Sequence, residues 1–270
     1  MQKTSRTRQL DAVLAGFDER HVRSLVAGWR LDAGEQKSEV PVHAHRLGQL
    51  VFAASGGVTC EAPDAVWIAP PLRAIWIPSQ TPHSVRATAR AQLCYLFVQP
   101  GAVRLPERCC ALELSPLVRE LILDMAEQPW DYESDGPVGR KALVLLDELA
   151  RMPVEGLHVP TSEDPRMRRI AKLLADDPSD RRTLAAWGDL VAMSERSLAR
   201  LVRRETGLSF GRWRQQLHLV TAMRLLADGV PVQRVSEQLG YESVTAFITM
   251  FKKAVGKPPA RFFADLAAPR

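Results

Sequence analysis

Within the last hundred or so of the 270 residues, one short pattern is written twice at a spacing of 49. Adding 49 carries Ser194 to Ser243, Leu198 to Phe247, Leu201 to Met250, Val202 to Phe251, Arg203 to Lys252, Arg204 to Lys253 and Gly207 to Gly256, with residue class kept at each position. In each copy the Ser suits a helix N-cap, the apolar residues at Ser+4, +7 and +8 form one stripe to bury, and the Gly falls where a helix stops. The face left outside carries Arg196, Arg200 and Arg203 in the first copy and Thr245, Thr249 and Lys252 in the second. Such a chain is constrained to fold two short amphipathic helices, each capped at both ends and polar or basic on its outer face.

A helix that reads a DNA groove is held at an angle by a partner helix across a tight turn. Both copies supply one: LAAWGDLV (184–191) precedes the turn Ala192-Met193, and VQRVSEQL (232–239) precedes the turn Gly240-Tyr241-Glu242. Between the units, residues 210–227 place apolar side chains at Trp213, Leu217, Val220 and Leu225, which predicts one connecting helix. Units about 34 Å apart, one turn of B-DNA, would read two successive major grooves of double-stranded DNA. A solvated basic face on a plain helical bundle needs no ligand. Packing alone, however, does not require the caps and basic ends to be repeated, and the repetition favours nucleic acid.

The stretches LAAWGDLVAMSERSLARLVRRETG, WRQQLHLVTAMRLLADG and VQRVSEQLGYESVTAFITMFKKAVGKPP resemble the DNA-binding domain of the AraC/XylS transcription regulators. The resemblance covers residues 164–263 and implies seven helices, with two helix-turn-helix units (184–205 and 232–255) joined by a long helix. By position it places base reading on Arg196, Ser197 and Arg200 and on Val244, Thr245 and Thr249, with Ser243 capping the second helix. Three positions depart from the family pattern: Ala192 replaces a turn Gly, Val202 an aromatic, and Ser236 an Ala. Arg196 and Arg200 suit bidentate bonds to guanine, worth about 1–3 kcal/mol of discrimination for each good pair. The shorter Thr and Val side chains suit thymine methyls or single bonds, with Lys252 and Lys253 left for phosphates, and Arg203 and Arg204 are counted among the DNA-binding residues.

Charge divides the chain. From Asp164 onward there are 19 Lys and Arg against 11 Asp and Glu, a net of +8, whereas residues 1–163 carry a net of −3. Positive charge therefore gathers where DNA would lie. Residues 153–163 mix Pro, Gly and polar residues without periodicity and are expected as a linker between domain 1–152 and domain 164–266. Cys60, Cys94, Cys109 and Cys110 have no CxxC spacing, which fits reduced thiols in a cytoplasmic protein. No apolar run reaches the ~20 residues of a membrane span, and the N-terminus has no signal-peptide core. Before the linker, 117–127 and 138–152 have helical spacing, with Leu121, Met125, Leu143, Leu146 and Leu149 as anchors. In the resembling family such helices often pair two subunits of a homodimer; packing on their own domain is the alternative.

Residues 38–100 are short runs of Val, Ile, Trp and Phe broken by Gly and Pro, which predicts an antiparallel barrel or sandwich. The expected fold class is therefore α+β, a β-barrel with trailing helices followed by an all-α domain. His43-Ala44-His45, Gln49 and the later His83 resemble a cupin motif, with Gln49 where the metal-binding pattern has Glu and Gln80 where it has Gly. Three imidazoles facing into a barrel suit a divalent transition metal, with Gln49 or water completing the shell. The alternative is that they line a pocket or are hydrogen-bonded barrel residues. Phe52, Trp67 and Trp76 are candidates to line an effector pocket, against the reading that they are ordinary core. Two functions follow: a regulator answering to a small molecule or metal, meeting RNA polymerase if it activates, or a metal-dependent cupin enzyme with a helical tail. DNA binding itself requires no cofactor. The duplicated helical unit favours the regulator.

Overall fold

The computed structural model describes residues 8–9, 22–34, 38–63, 65–69, 73–88, 90–155 and 158–262. The chain divides into two compact units, residues 1–63 with 67–157, and residues 64–66 with 158–270.

In the first unit β1 (Arg8–Gln9), β2 (Val26–Asp32), β4 (Gly48–Ser55), β7 (Arg73–Ile77), β9 (Gln92–Val98), β10 (Cys110–Glu113) and β11 (Val154–Glu155) form one sheet in the order β1-β2-β9-β4-β7-β10-β11. Its pairings are antiparallel except for β1, which lies parallel to β2. A second sheet contains β3 (Ser38–His43), β5 (Val58–Ala62), β6 (Ala65–Ala69) and β8 (His83–Ala87) in the order β6-β5-β8-β3. β5 buries Val58, Cys60 and Ala62 while exposing Glu61, the alternation of a sheet with one covered face. The central strands β4 and β9 are buried on both faces and read as continuous apolar runs.

Two helices follow the strands, α1 (Pro116–Met125) and α2 (Pro137–Leu149). α1 is capped by Ser115, whose hydroxyl accepts from the Val118 N–H. Its buried side is Val118, Ile122 and Met125, and α2 buries Ala142, Leu145, Leu146 and Leu149. Leu143, expected as an anchor, is instead 49% exposed, because the buried stripe of α2 runs through Ala142 and Leu145 on either side of it. Gly28 of β2 lies under the end of α1, where an added Cβ would meet the Ala126 backbone at 2.5 Å.

In the second unit α3 (Pro165–Asp176), α4 (Leu184–Leu190), α5 (Glu195–Thr206), α6 (Phe210–Ala227), α7 (Val232–Gln238) and α8 (Val244–Val255) are helical. Residues 153–163, expected to lack regular structure, carry the short β11 and β12 (His158–Pro160). The first core joins Met167, Ile170 and Leu174 of α3 with Trp187, Leu198, Leu201, Val202, Phe210 and Trp213. Val202, smaller than the family aromatic, is fully buried there. The sequence places one stripe on α6, but Leu219, Ala222 and Met223 are buried in addition to Trp213. A helix with partners on more than one side has apolar residues that do not fall on one side.

Candidate nucleic-acid interface and histidine cluster

The two recognition helices are built alike. The Ser194 hydroxyl accepts from the Ser197 N–H at 3.2 Å, and that of Ser243 from the Ala246 N–H at 3.1 Å. At the other ends Gly207 and Gly256 take left-handed φ of 71° and 80°, a conformation that suits glycine. Leu198, Leu201 and Val202 are buried in α5, and Phe247 and Phe251 in α8, while Met250 is half-buried.

Turn geometry shows a one-residue difference between the units. The Met193 N–H donates to the Gly188 carbonyl at 2.9 Å, and the Tyr241 N–H to that of Ser236 at 3.0 Å, so the supporting helices correspond at an offset one shorter than the recognition helices. Both corresponding positions are small because the turn crosses close above them. A Cβ on Gly188 would stand 2.5 Å from the Met193 carbonyl oxygen. Ser236 fits, and its hydroxyl donates to the Ser243 carbonyl at 3.3 Å.

Outside, Arg196, Arg200, Arg203 and Arg204 of α5 are exposed, with Ser197 half-buried beside the cap. Arg196, Arg200 and Arg203 form no ion pair with another described residue, whereas Arg204 lies 2.8 Å from the Glu205 carboxylate. On α8, Thr245, Thr249, Lys252 and Lys253 are exposed and Val244 is half-buried. The Thr249 hydroxyl donates to the Thr245 carbonyl at 2.9 Å, so what it offers outward is mainly a methyl group.

A cavity of about 380 Å³, which no sequence motif marks, lies between α6 and the second helix-turn-helix unit, lined by Arg181, Arg214, His218, Tyr241 and Ala246 among others. His218 is buried, accepts from Arg214 Nε at 3.4 Å and lies 3.3 Å from the Tyr241 hydroxyl. Nothing in the local pattern distinguishes this histidine from a surface one.

In the first unit, His43, His45 and His83 bring one ring nitrogen each to within 4.8 Å of one another. The Nδ1 atoms lie 2.8, 2.7 and 2.8 Å from the carbonyl oxygens of Pro41, Leu47 and Thr81. In the neutral ring each Nδ1 therefore carries the proton, leaving Nε2 with its lone pair. Burial pushes His43 down and His83 to about 4, which favours the neutral, metal-binding form. Gln49 Oε1 stands 3.0 Å from His45 Nε2. His83 Nε2 and Gln49 Nε2 are buried without a hydrogen-bond partner. Three imidazoles with ring nitrogens this close, one of them orphaned in a buried place, give the donor set of a divalent transition metal, so the residues present suit such an ion.

The three aromatic pocket candidates come from both sheets. Leu50 pairs with Trp76, and Phe52 has the same strand parity as Leu50, so Phe52 and Trp76 share the face of their sheet opposite Gln49. The Trp76 ring lies over Gly48, and its Nε1 donates to the Pro106 carbonyl at 2.8 Å. Trp67 comes from the second sheet and is buried with Ala65 and Ala69. Phe97, directly opposite Gln49, is the aromatic beside the histidines, 5.6 Å from the His45 ring.

A family model described as a helix-turn-helix domain matches residues 187–265. The chain is 45% identical over 254 residues to the HTH-type transcriptional regulator NimR of Escherichia coli (strain K12), covering 94% of this chain and 93% of that one. It is also 30% identical over 129 residues to the arabinose operon regulatory protein of the same strain, covering 46% and 44%. The chain belongs to the AraC/XylS family of transcription regulators. As a member of that family it is a DNA-binding regulator and not an enzyme. Among solved structures, it is similar to unsaturated fatty acid-bound ToxT from Vibrio cholerae, with 11% identity, a TM-score of 0.38 and coverage of 88% and 94%. No described helix is long and apolar enough to cross a membrane.

Proposed function

We propose that this AraC/XylS regulator reads an operator by laying α5 and α8 in successive major grooves of double-stranded DNA. The observation that carries this reading is the pair of capped helices whose outer faces present Arg196, Arg200 and Arg203, then Thr245, Thr249 and Lys252. The units have unequal roles. Arg196 and Arg200, with Ser197, read bases, guanine above all. Thr245, Thr249 and Val244 read methyl groups, while Lys252 and Lys253 hold phosphates. Substituting Arg200→Ala is expected to cost about 1–3 kcal/mol on the cognate operator and far less on random DNA. Titrations of both DNAs at one salt concentration check this, and equal losses would sink the assignment.

The barrel unit supplies control in this reading, through a small molecule or a metal. His43, His45 and His83, with Gln49, hold a divalent transition metal; when bound, the ion supplies a Lewis-acidic centre to which an effector's donor atom can attach. Control requires that the effector prefer one conformation of the regulator, since equal affinity for both shifts nothing. The protein works in the cytoplasm as a homodimer through α1 and α2, and contacts RNA polymerase where it activates.

A further inference from the structure

The Gln49 position carries an inference that rests on the metal reading above. In the resembling cupin pattern a Glu stands here, and its carboxylate would offset one charge of a bound dication. This chain has an amide, with Oε1 directed at His45 Nε2 at 3.0 Å. The other donors are three imidazoles, tied by Nδ1 to backbone carbonyls and therefore neutral as ligands. Among the described residues, the histidine, cysteine and carboxylate atoms that gather within 4.8 Å of one another here are those of His43, His45 and His83, with no carboxylate in the group. A divalent ion on this donor set keeps its full charge of +2 beside low-dielectric surroundings: Phe97 packs on His45, and Tyr95 stacks on Phe97 at 6.2 Å.

Such a charge, buried on one side and uncompensated by the protein, is best satisfied by an anion from solution. Access exists on the other side. His43 and His45 are partly exposed, Ala44 between them is exposed, and Val42 is 73% exposed, while His83 and Gln49 form the buried floor. We propose that Gln49 makes the metal-loaded histidine cluster a receptor for anions, so that the effector is a small molecule that binds through a carboxylate or another anionic oxygen or nitrogen. Gln49 acts as a selectivity residue: its neutrality leaves the charge that recruits the ligand, and a carboxylate in its place would act as an internal competitor.

The test uses the full chain loaded with cobalt(II), read by metal analysis and by the visible bands of the ion. Azide and acetate are titrated as probes beside acetamide, the neutral counterpart of acetate in shape. The expected result is one cobalt per chain, saturable band shifts with azide and acetate, and none with acetamide at equal concentration. Gln49→Glu is expected to keep its cobalt and to bind either anion at least ten-fold more weakly. Bands indifferent to both anions, an equal response to acetamide, or an undiminished response in a folded, cobalt-loaded Gln49→Glu protein would each overturn the anion assignment and leave the metal reading standing. Cobalt content no higher than that of a His43→Ala, His45→Ala variant would overturn both. The acetate and acetamide comparison is made on the unaltered chain, so it decides the matter even if Gln49→Glu fails to fold.

Discussion

Ala192 and Gln80 hold left-handed backbone conformations, with φ of 55° and 60°. Both stand where the resembling motifs carry glycine, so the local shape is kept although the residue suited to it is gone. A side chain in this region costs about 1–2 kcal/mol, whereas glycine loses about 0.4–1 kcal/mol more backbone entropy on folding. Ala192→Gly is therefore expected to stabilise the protein by about 0.5–1 kcal/mol. Urea unfolding checks it: the midpoint should rise with an unchanged slope, and a fall would mean that the Ala192 methyl group makes contacts worth more than the strain. The position was legible as a departure in the sequence, but its backbone angle was not, because an alanine turn has several geometries open to it.

At the scale of elements, the second helix-turn-helix unit is tied to the connecting helix α6 by a partly buried polar contact. His218 on α6 meets Tyr241 in the turn before α8, and the Tyr241 ring packs on Phe247 at 5.6 Å. Burial first, and then the Arg214 charge, push His218 down to about 4 from an ordinary value of 6.5. Between those values the unfolded chain binds a proton that the folded one refuses, so stability falls as pH drops from about 6.5 towards 4 and is unaffected by this group above that range. The loss is at most about 3 kcal/mol. His218→Gln should reduce the slope of this part of the stability profile, and in a histidine NMR titration of the intact protein the ring whose signal that variant lacks should still be neutral at pH 5. That same ring titrating near 6.5 in the folded protein would remove the explanation. Helix bounds were legible from caps and spacing, down to the 18 residues of α6. The two-sided burial of α6 was not, since it depends on partners distant in the chain.

For the whole molecule, the apolar surface on α1 and α2 has a consequence for assembly. Leu117, Leu143 and Val144 are 53%, 49% and 48% exposed, whereas the opposite sides of both helices are fully packed. Leu143→Glu with Val144→Glu should leave the fold intact, because neither side chain is in the core, and should convert the proposed homodimer to a monomer in sedimentation experiments. Operator affinity should fall at least ten-fold through lost avidity. A monomeric unaltered chain would reject this role for the surface.

What the sequence determined by itself were the features with short-range causes: the caps at Ser194 and Ser243, the terminal glycines, the apolar stripes, and hence which side chains of α5 and α8 face outward. These follow from the 3.6-residue helical repeat and from hydrogen bonds within a few positions. Only the tertiary structure decided what strand pairing brings together. The sequence marked His43, His45, Gln49 and His83 as candidates, but their convergence required β3 to lie beside β8 with His43 opposite His83. The same pleat that turns Gln49 towards the histidines turns Phe52 and Trp76 away from them. In a strand a shift of one residue reverses every face, and that register is set by partners tens of residues away.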